Sequence, residues 1–595
     1  MRNPQDVYLR KLLIWRAKYV SDRQFIYLLS IVVGLMSGLS AVALKNAVYW
    51  VQRLLFEGVA EVRDYLFMVY PAVGIIIVYF IVKYVIRTKV GHGIPNMLYA
   101  ISRNNGNIGK KDTWASILTA SITVGFGGSV GLEGPTVATA GALSSNLGKV
   151  LRLDYKKKKL LIGMAASGAL AAIFNAPIAA IVFALEVIMI DLTATSMIPL
   201  LLSSATAAVT SRLLLSDDYL FHFSVIEAFG ASDLIFYLLL GIVAGLISVH
   251  FTSIYFFTER VLGKLNSKFL KALIGGALIG VLIYVFPQLY GEGFETINAY
   301  IIGDIDGILE EFVLFDVERN MFIVIALLFL LPVLKALAAS ITLNSGGVGG
   351  IFAPSLFIGS TTGFAFSYII NQSGIAQLSQ SNFTLVGMGG VMAGVLQAPL
   401  TGVFLIAEIT GGYELFLPLM ITATIAFISV KYFTPFSIYT RQLAARGELI
   451  THHKDQAILT LMQLEKEIEK DFSFVRPYDK LSDLVKTVAG SKRNLFPVVD
   501  EQNTFLGVVN LNDIRSFMFD TEKHDTMLVH EMMTPAHEHI FDTDSMDTVM
   551  KKFDQSEAWN LPVVTNDVKY IGFVSKSRLF SAYRKLLRDF YEEGD

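Results

Sequence analysis

Long apolar runs broken by glycine and proline fill the first three quarters of the chain, and short apolar runs alternating with polar ones fill the last quarter. Phe25 to Leu44 is uncharged and, as a helix, long enough to cross a hydrocarbon core of about 30 Å. Tyr65 to Val82, Leu234 to Val249 and Met321 to Leu334 are further candidates, several of them short for a perpendicular crossing. At the start, Val7, Leu9, Leu12, Ile14, Trp15 and Val20 are interleaved with Arg2, Arg10, Lys11, Arg16 and Lys18. That pattern predicts an amphipathic helix at a membrane surface over 1–20, not a secretion signal with an unbroken apolar centre. Its positive charge predicts a cytosolic location, with both termini on that side of a plasma (inner) membrane. The Lys156 to Lys159 run fits the cytosolic side or a solvated loop on either side.

The membrane part, about 21–446, repeats itself over about 25–215 and 232–440. Gly34, Gly38 and Arg53 recur at constant offset as Gly241, Gly245 and Arg260. Ala176-Pro177 with Glu186 recurs as Ala398-Pro399 with Glu408, and Gly131-Leu132-Glu133-Gly134-Pro135 falls opposite Gly350-Ile351-Phe352-Ala353-Pro354. Matched halves carrying interrupted helices predict an all-α polytopic membrane protein of two inverted repeats, with a transport site near the midplane. A helix that starts inside a membrane has unpaired N–H groups carrying partial positive charge. Such groups can hold an anion without the full charge of a Lys or Arg that would bind it too tightly to release. A single break reads as a packing kink; matched breaks favour a site.

Composition agrees: 53% of the 595 residues are hydrophobic, 17% are charged and the mean hydropathy is +0.54. A net charge of −2 gives no argument for nucleic acid as a partner. With no cysteine, disulfides and thiolate metal sites are excluded.

Gly91-His92-Gly93-Ile94-Pro95, the Gly131 and Gly350 segments above, and Ser437-Ile438-Tyr439 resemble, in order and spacing, the four anion-site segments of the CLC chloride channel and exchanger family. The resemblance covers essentially the whole chain. It implies that Glu133 is the gating glutamate, competing with chloride and accepting protons, and that Ile351 and Phe352 offer backbone N–H groups to the anion. Tyr439 would offer its hydroxyl, against the plainer reading of an interfacial tyrosine. Gly91, Gly93, Pro95, Gly131, Gly134, Pro135, Gly350 and Pro354 would shape the helix starts. A homodimer with one anion path per subunit is implied, in contact with membrane lipids. Two departures matter. His92 stands where a serine commonly faces the anion, which leaves selectivity among small anions open. Val187 stands where proton-coupled exchangers often carry an internal glutamate, and valine cannot relay a proton. The expectation is therefore a chloride channel with a glutamate gate and weak or absent proton coupling, the alternative being a chloride/proton antiporter. Glu186 and Glu408 read as structural acids near helix ends.

After a linker at 447–454, the pattern Leu495-Phe496-Pro497-Val498-Val499 with Phe505-Leu506-Gly507-Val508-Val509 recurs as Asn560-Leu561-Pro562-Val563-Val564 with Tyr570-Ile571-Gly572-Phe573-Val574. This looks like a cytosolic α/β pair of CBS modules, about 455–518 and 527–588. Such pairs often bind adenosine nucleotides through a motif that is incomplete in both copies here, leaving Asp513 for a ribose and Ser575 for a phosphate. A structural dimerisation tail without ligand is the other reading. No resident cofactor or metal is expected. A membrane enzyme finds little support, since His530-Glu531-Met532-Met533-Thr534 lacks the second histidine of a zinc-protease helix. A cation channel gated by the tail would need more intramembrane acids than Glu133, Glu186 and Glu408.

Overall fold

The computed structural model describes residues 14, 16, 18–56, 63–88, 90–91, 93–188, 194–215, 230–310, 321–445, 462, 464–535 and 538–591. Most of the 1–20 segment, His92 and the 447–454 linker therefore lie outside the described residues. The chain divides into two compact units, Met1–Leu449 and Ile450–Asp595.

Among the described residues of the first unit, the helices are α1 (Asp22–Phe56), α2 (Arg63–Phe80, continued by a π-helical turn Ile81–Ile86), α3 (Ile94–Arg103), α4 (Asp112–Gly125), α5 (Glu133–Val150), α6 (Tyr155–Phe174), α7 (Pro177–Glu186), α8 (Ala194–Leu214) and α9 (Leu234–Gly263). They continue as α10 (Lys268–Val285), α11 (Phe294–Ile302), α12 (Ile305–Glu310), α13 (Met321–Asn344), α14 (Phe352–Ser373), α15 (Gln380–Leu396), α16 (Pro399–Ile409), α17 (Phe416–Phe433) and α18 (Ile438–Ala445). Eight helices among the described residues are long and apolar enough to cross a membrane. Two of the candidate stretches lie inside longer helices. The Leu234 stretch extends to a 30-residue helix, and the Met321 stretch continues past Lys335 to a 24-residue one. A charge does not end a helix whose neighbours satisfy it, and Lys335 is fully buried among such neighbours.

The repeat is carried by helix crossings. A Cβ on Gly34 would meet the Ser203 carbonyl and Thr206 of α8, and one on Gly38 would meet Thr210 at 2.7 Å. In the second half, Gly241 faces Thr422 and Ile425 of α17 and Gly245 faces Ser429. Small residues let these backbones approach where lipid supplies no hydrophobic drive to bring helices together. The short helices α7 and α16 each follow a residue in the left-handed region, Asn175 (φ 53°) and Gln397 (φ 56°), and each begins with proline. Asp22 at the start of α1 pairs with Lys157 at the start of α6 at 2.9 Å, so the Lys156–Lys159 run lies at the same face of the unit as the start of α1.

In the second unit, β1 (Leu495–Val499) pairs antiparallel with β2 (Phe505–Asn510), and β3 (Ile540–Phe541), β4 (Asn560–Val564) and β5 (Tyr570–Ser575) form a sheet in that order. Each module has its own core, one around Phe496, Val498 and Val509, the other around Phe553, Val563 and Val574. Each also borrows an edge from the segment ahead of a module: Thr534 bridges Val508, and Glu469 bridges Phe573. Gly507 and Gly572 sit beneath those segments, where a Cβ would press on the carbonyls of Thr534 and Glu469.

Candidate functional site

The two opposed glycine motifs meet in space. Gly131 N–H donates to the Gly350 carbonyl at 2.9 Å, and Gly350 N–H donates to the Gly131 carbonyl at 2.8 Å. This is an antiparallel bridge between equivalent residues of the two repeats, which is what a two-fold relation between inverted halves produces. Each glycine leads straight into a helix start, Leu132 capping α5 and Ile351 capping α14. The third motif joins them: Gly93, at φ 76°, leads into α3 with Pro95 at its second residue. Its backbone passes so close to the Gly134 carbonyl that any Cβ would collide with it. Gly134 in turn lies against Gly349 and Gly350, 3.3 Å from where its own Cβ would stand. Backbone alone, with no side-chain volume, makes this junction possible. Gly91 packs against the Asn96 side chain, and Pro135 and Pro354 occupy matching third positions of α5 and α14.

Glu133 occupies the first residue of α5 and is fully buried. Its carboxylate folds back over Gly131 and Gly350, whose missing side chains leave room for it. Neither oxygen meets hydrogen-bond geometry with a donor among the described residues, although the amides of Glu133 itself and Ala353 act on its charge. Tyr439, at the start of α18, is 5% exposed, has no hydrogen-bond partner for its hydroxyl among the described residues and lies within electrostatic range of Glu133. Two buried polar side chains without partners among the described residues, beside helix starts from both repeats, offer a chemistry suited to an anion. The second repeat replaces the acid by Phe352, whose ring stacks on Phe174 at 5.0 Å and meets Phe183 edge-on at 6.4 Å. Ile351 and Phe352 are buried, so their side chains pack while their amides sit at the α14 start.

Glu186 and Glu408 each reach a helix start of the other repeat. Glu186, the last residue of α7, accepts from the amides of Leu400 (3.0 Å) and Thr401 (2.7 Å) and from the Thr401 hydroxyl (2.7 Å) at the start of α16. Glu408 of α16 accepts from the amides of Ile178 (2.9 Å) and Ala179 (2.7 Å) at the start of α7. Each acid caps the other repeat's helix. Val187 follows Glu186 as a buried apolar residue, 5% exposed, and donates its N–H to the Phe183 carbonyl.

Sequence reasoning missed three charges inside the helical unit, Lys335 fully buried and Glu292 and Lys45 half-buried. Glu292 adds to the three acids counted above, and its carboxylate accepts from the Leu132 amide at 3.3 Å. Lys335 donates to the carbonyls of Leu289 and Gly291, and Lys45 to that of Ile173 at 2.9 Å. Lys45 and Lys335 each stand directly after an uncharged candidate span, and that was the available signal.

In the tail, Asp513 is exposed on the turn after β2. Ser575 ends β5 with its hydroxyl donating to Glu469 at 2.6 Å, and Glu469 also accepts from Arg493 at 2.7 Å. Arg493 bonds both oxygens of Asp471 as well, holding that carboxyl below its ordinary range. His530 and Glu531 sit on a single turn, Val529–Met532, where Glu531 accepts from the Leu528 amide.

Residues 73–431 match the family model described as voltage gated chloride channel, and residues 466–520 and 529–585 match that of the CBS domain. The chain is 28% identical over 449 residues to the H(+)/Cl(-) exchange transporters ClcA of Salmonella newport and Salmonella arizonae, covering 70% of this chain and 88% of theirs. Among solved structures, a slow cyanobacterial Cl-/H+ antiporter superposes with a TM-score of 0.62 at 22% identity, over 73% of this chain and all of the other. A eukaryotic CLC transporter gives 0.59 at 17% identity over 93% of this chain and 97% of its own, and a CLC-type fluoride/proton antiporter gives 0.56 at 22% over 70% and 96%.

Proposed function

The chain belongs to the voltage-gated chloride channel family, an anion transport protein of the CLC type with a CBS pair, and on that premise we propose that it passes chloride through a path gated by Glu133. The observation that carries this reading is the pair of buried, unpartnered groups, the Glu133 carboxylate and the Tyr439 hydroxyl, set at helix starts contributed by both repeats. An ionised Glu133 holds the place of an anion beside the positive ends of α5 and α14; once protonated, it no longer competes for it. Ile351 and Phe352 supply amides, and Tyr439 supplies a neutral donor that holds an anion without trapping it. His92 belongs to the same motif as Gly93 and sets selectivity among small anions in this reading.

Passive conduction is the mode we favour, because Val187 is buried and apolar where a proton would have to be relayed. Exchange of chloride for protons is the second reading, favoured by the relatives named as H(+)/Cl(-) exchangers. Proteoliposomes under a chloride gradient, with voltage clamped by a potassium ionophore, separate the two. Chloride flux without uphill proton movement is expected; sustained proton uptake against its gradient, lost in Glu133→Ala, would establish exchange instead. Glu133→Ala should leave chloride flux nearly independent of pH, and an unchanged pH profile would remove Glu133 from the role of gate.

We further infer a homodimer in the plasma (inner) membrane with cytosolic termini. For the tail, a structural role is better supported than nucleotide sensing, since the Ser575 hydroxyl is already engaged by the acid Glu469.

A further inference from the structure

Glu292 lies outside every motif, yet it touches the first turn of the gate helix. It sits between Gly291 (φ 52°) and Gly293 (φ 85°), a backbone path that side chains disfavour, just ahead of α11. Its carboxylate accepts from Leu132, the residue before Glu133, at 3.3 Å. The turn is pinned from α13: Lys335 Nζ donates to the carbonyls of Leu289 (3.3 Å) and Gly291 (2.9 Å) and lies 4.8 Å over the Phe357 ring. From α1, Lys45 is fixed on the Ile173 carbonyl and its charge acts on both acids. Among the described residues, the groups facing Glu133 are thus Glu292, Lys45 and the Tyr439 hydroxyl, and those facing Glu292 are Glu133, Lys45 and Lys335. Glu133 is fully buried, whereas Glu292 is half-buried.

We propose that Glu292 is the positioning acid of the gate: its charge, held on the Leu132 amide, sets the pH at which Glu133 yields its place to the anion. This rests on Glu133 being that gate. Two carboxylates sharing a buried neighbourhood disfavour double ionisation, so each sets the other's proton occupancy. Glu292 also takes up part of Lys45's charge and an amide at the α5 start, both of which would otherwise favour the Glu133 carboxylate. With Glu292 neutral, Lys45 acts on Glu133 unopposed and the gate stays ionised, and shut, to lower pH.

The test compares wild type, Glu292→Gln, Glu292→Asp, Glu133→Gln and the double variant Glu133→Gln/Glu292→Gln in proteoliposomes. Chloride efflux is followed between about pH 4.5 and 8 with voltage clamped. Glutamine keeps the acceptor for Leu132 while removing the charge, and a monodisperse elution profile certifies folding. The expected result is an acid shift of the flux midpoint by about one pH unit in Glu292→Gln, a tenfold loss on the flank of the curve. Glu292→Asp returns toward wild type, and the double variant is as flat as Glu133→Gln alone. A flat Glu133→Gln profile beside a wild-type midpoint in Glu292→Gln overturns the inference and leaves the gate reading intact. Wild-type pH dependence in Glu133→Gln removes the gate reading and this inference with it. Residual pH dependence in Glu133→Gln that disappears only in the double variant also overturns it, since Glu292 would then act on its own.

Discussion

Removing the Glu408 carboxylate should loosen the seam between the repeats without opening the gate. In the native protein Glu408 accepts two amide bonds at the start of α7, and Glu186 accepts three bonds at the start of α16. Hydrogen bonds to charged groups contribute about 1.5–3 kcal/mol each, and a buried donor left without an acceptor costs about 1–3 kcal/mol. Ala179 and Thr401 are fully buried, so their amides have no other outlet. Counting the buried amide in full and the second bond at a discount, Glu408→Ala should lose about 2–3 kcal/mol. Glu186→Ala should lose about 3–4 kcal/mol, because it also strands the buried Thr401 hydroxyl. Glutamine at either position keeps a carbonyl acceptor and should lose about half as much. Reversible SDS titration of the purified protein in mixed micelles, followed by tryptophan fluorescence, measures these differences. Chloride flux per folded molecule should keep its wild-type pH profile. Alanine variants within about 0.5 kcal/mol of wild type would refute the reasoning, as would an inverted order in which Glu408→Ala is the more damaging.

Three more expectations follow from the packing and the tail. Gly131→Ala puts a methyl group where the Glu133 carboxylate lies, and since a flexible side chain can yield, this variant should fold and show raised chloride flux at neutral pH, measured by efflux from liposomes. Gly359→Ala drives a Cβ toward the Gly387 carbonyl at 2.5 Å and Met388 Cα at 2.6 Å, backbone that cannot yield, so it should fail to elute as a folded species from size exclusion. In the tail, Asp471 keeps its charge to lower pH than a free carboxyl because Arg493 donates to it. Its pairing should hold from neutral pH down through the ordinary carboxylate range and loosen only below it, as read from the carboxyl carbon shift of Asp471 during an acid titration.

The repeat was legible because it is written in residue types that a membrane constrains tightly. Gly34 and Gly241 tolerate no side chain at a helix crossing, and Ala176-Pro177 and Ala398-Pro399 each start a helix that needs an acid from elsewhere. Glu186 and Glu408 could be read as structural from their matched positions, but not as reciprocal caps, since that depends on which helix end the inversion brings opposite which. Lys45, Glu292 and Lys335 stayed hidden for a different reason. They are far apart in sequence, none belongs to the segments that repeat or that carry the family resemblance, and only the fold brings Lys45 and Glu292 to Glu133 and Lys335 to Glu292. Residue pattern locates a helix start well; it does not report which side chains from other helices face it.

The exchange of two backbone bonds between Gly131 and Gly350 makes the candidate site a seam, in the sense that neither half of the polypeptide owns it. Each half brings one edge of the bridge, and only one of them brings an acid. Symmetry supplies the scaffold, and a break in symmetry beside the bridge, Glu133 opposite Phe352, places an acid on one side of it alone. Along that line, as at the reciprocal caps of Glu186 and Glu408, a change in either half is felt by both.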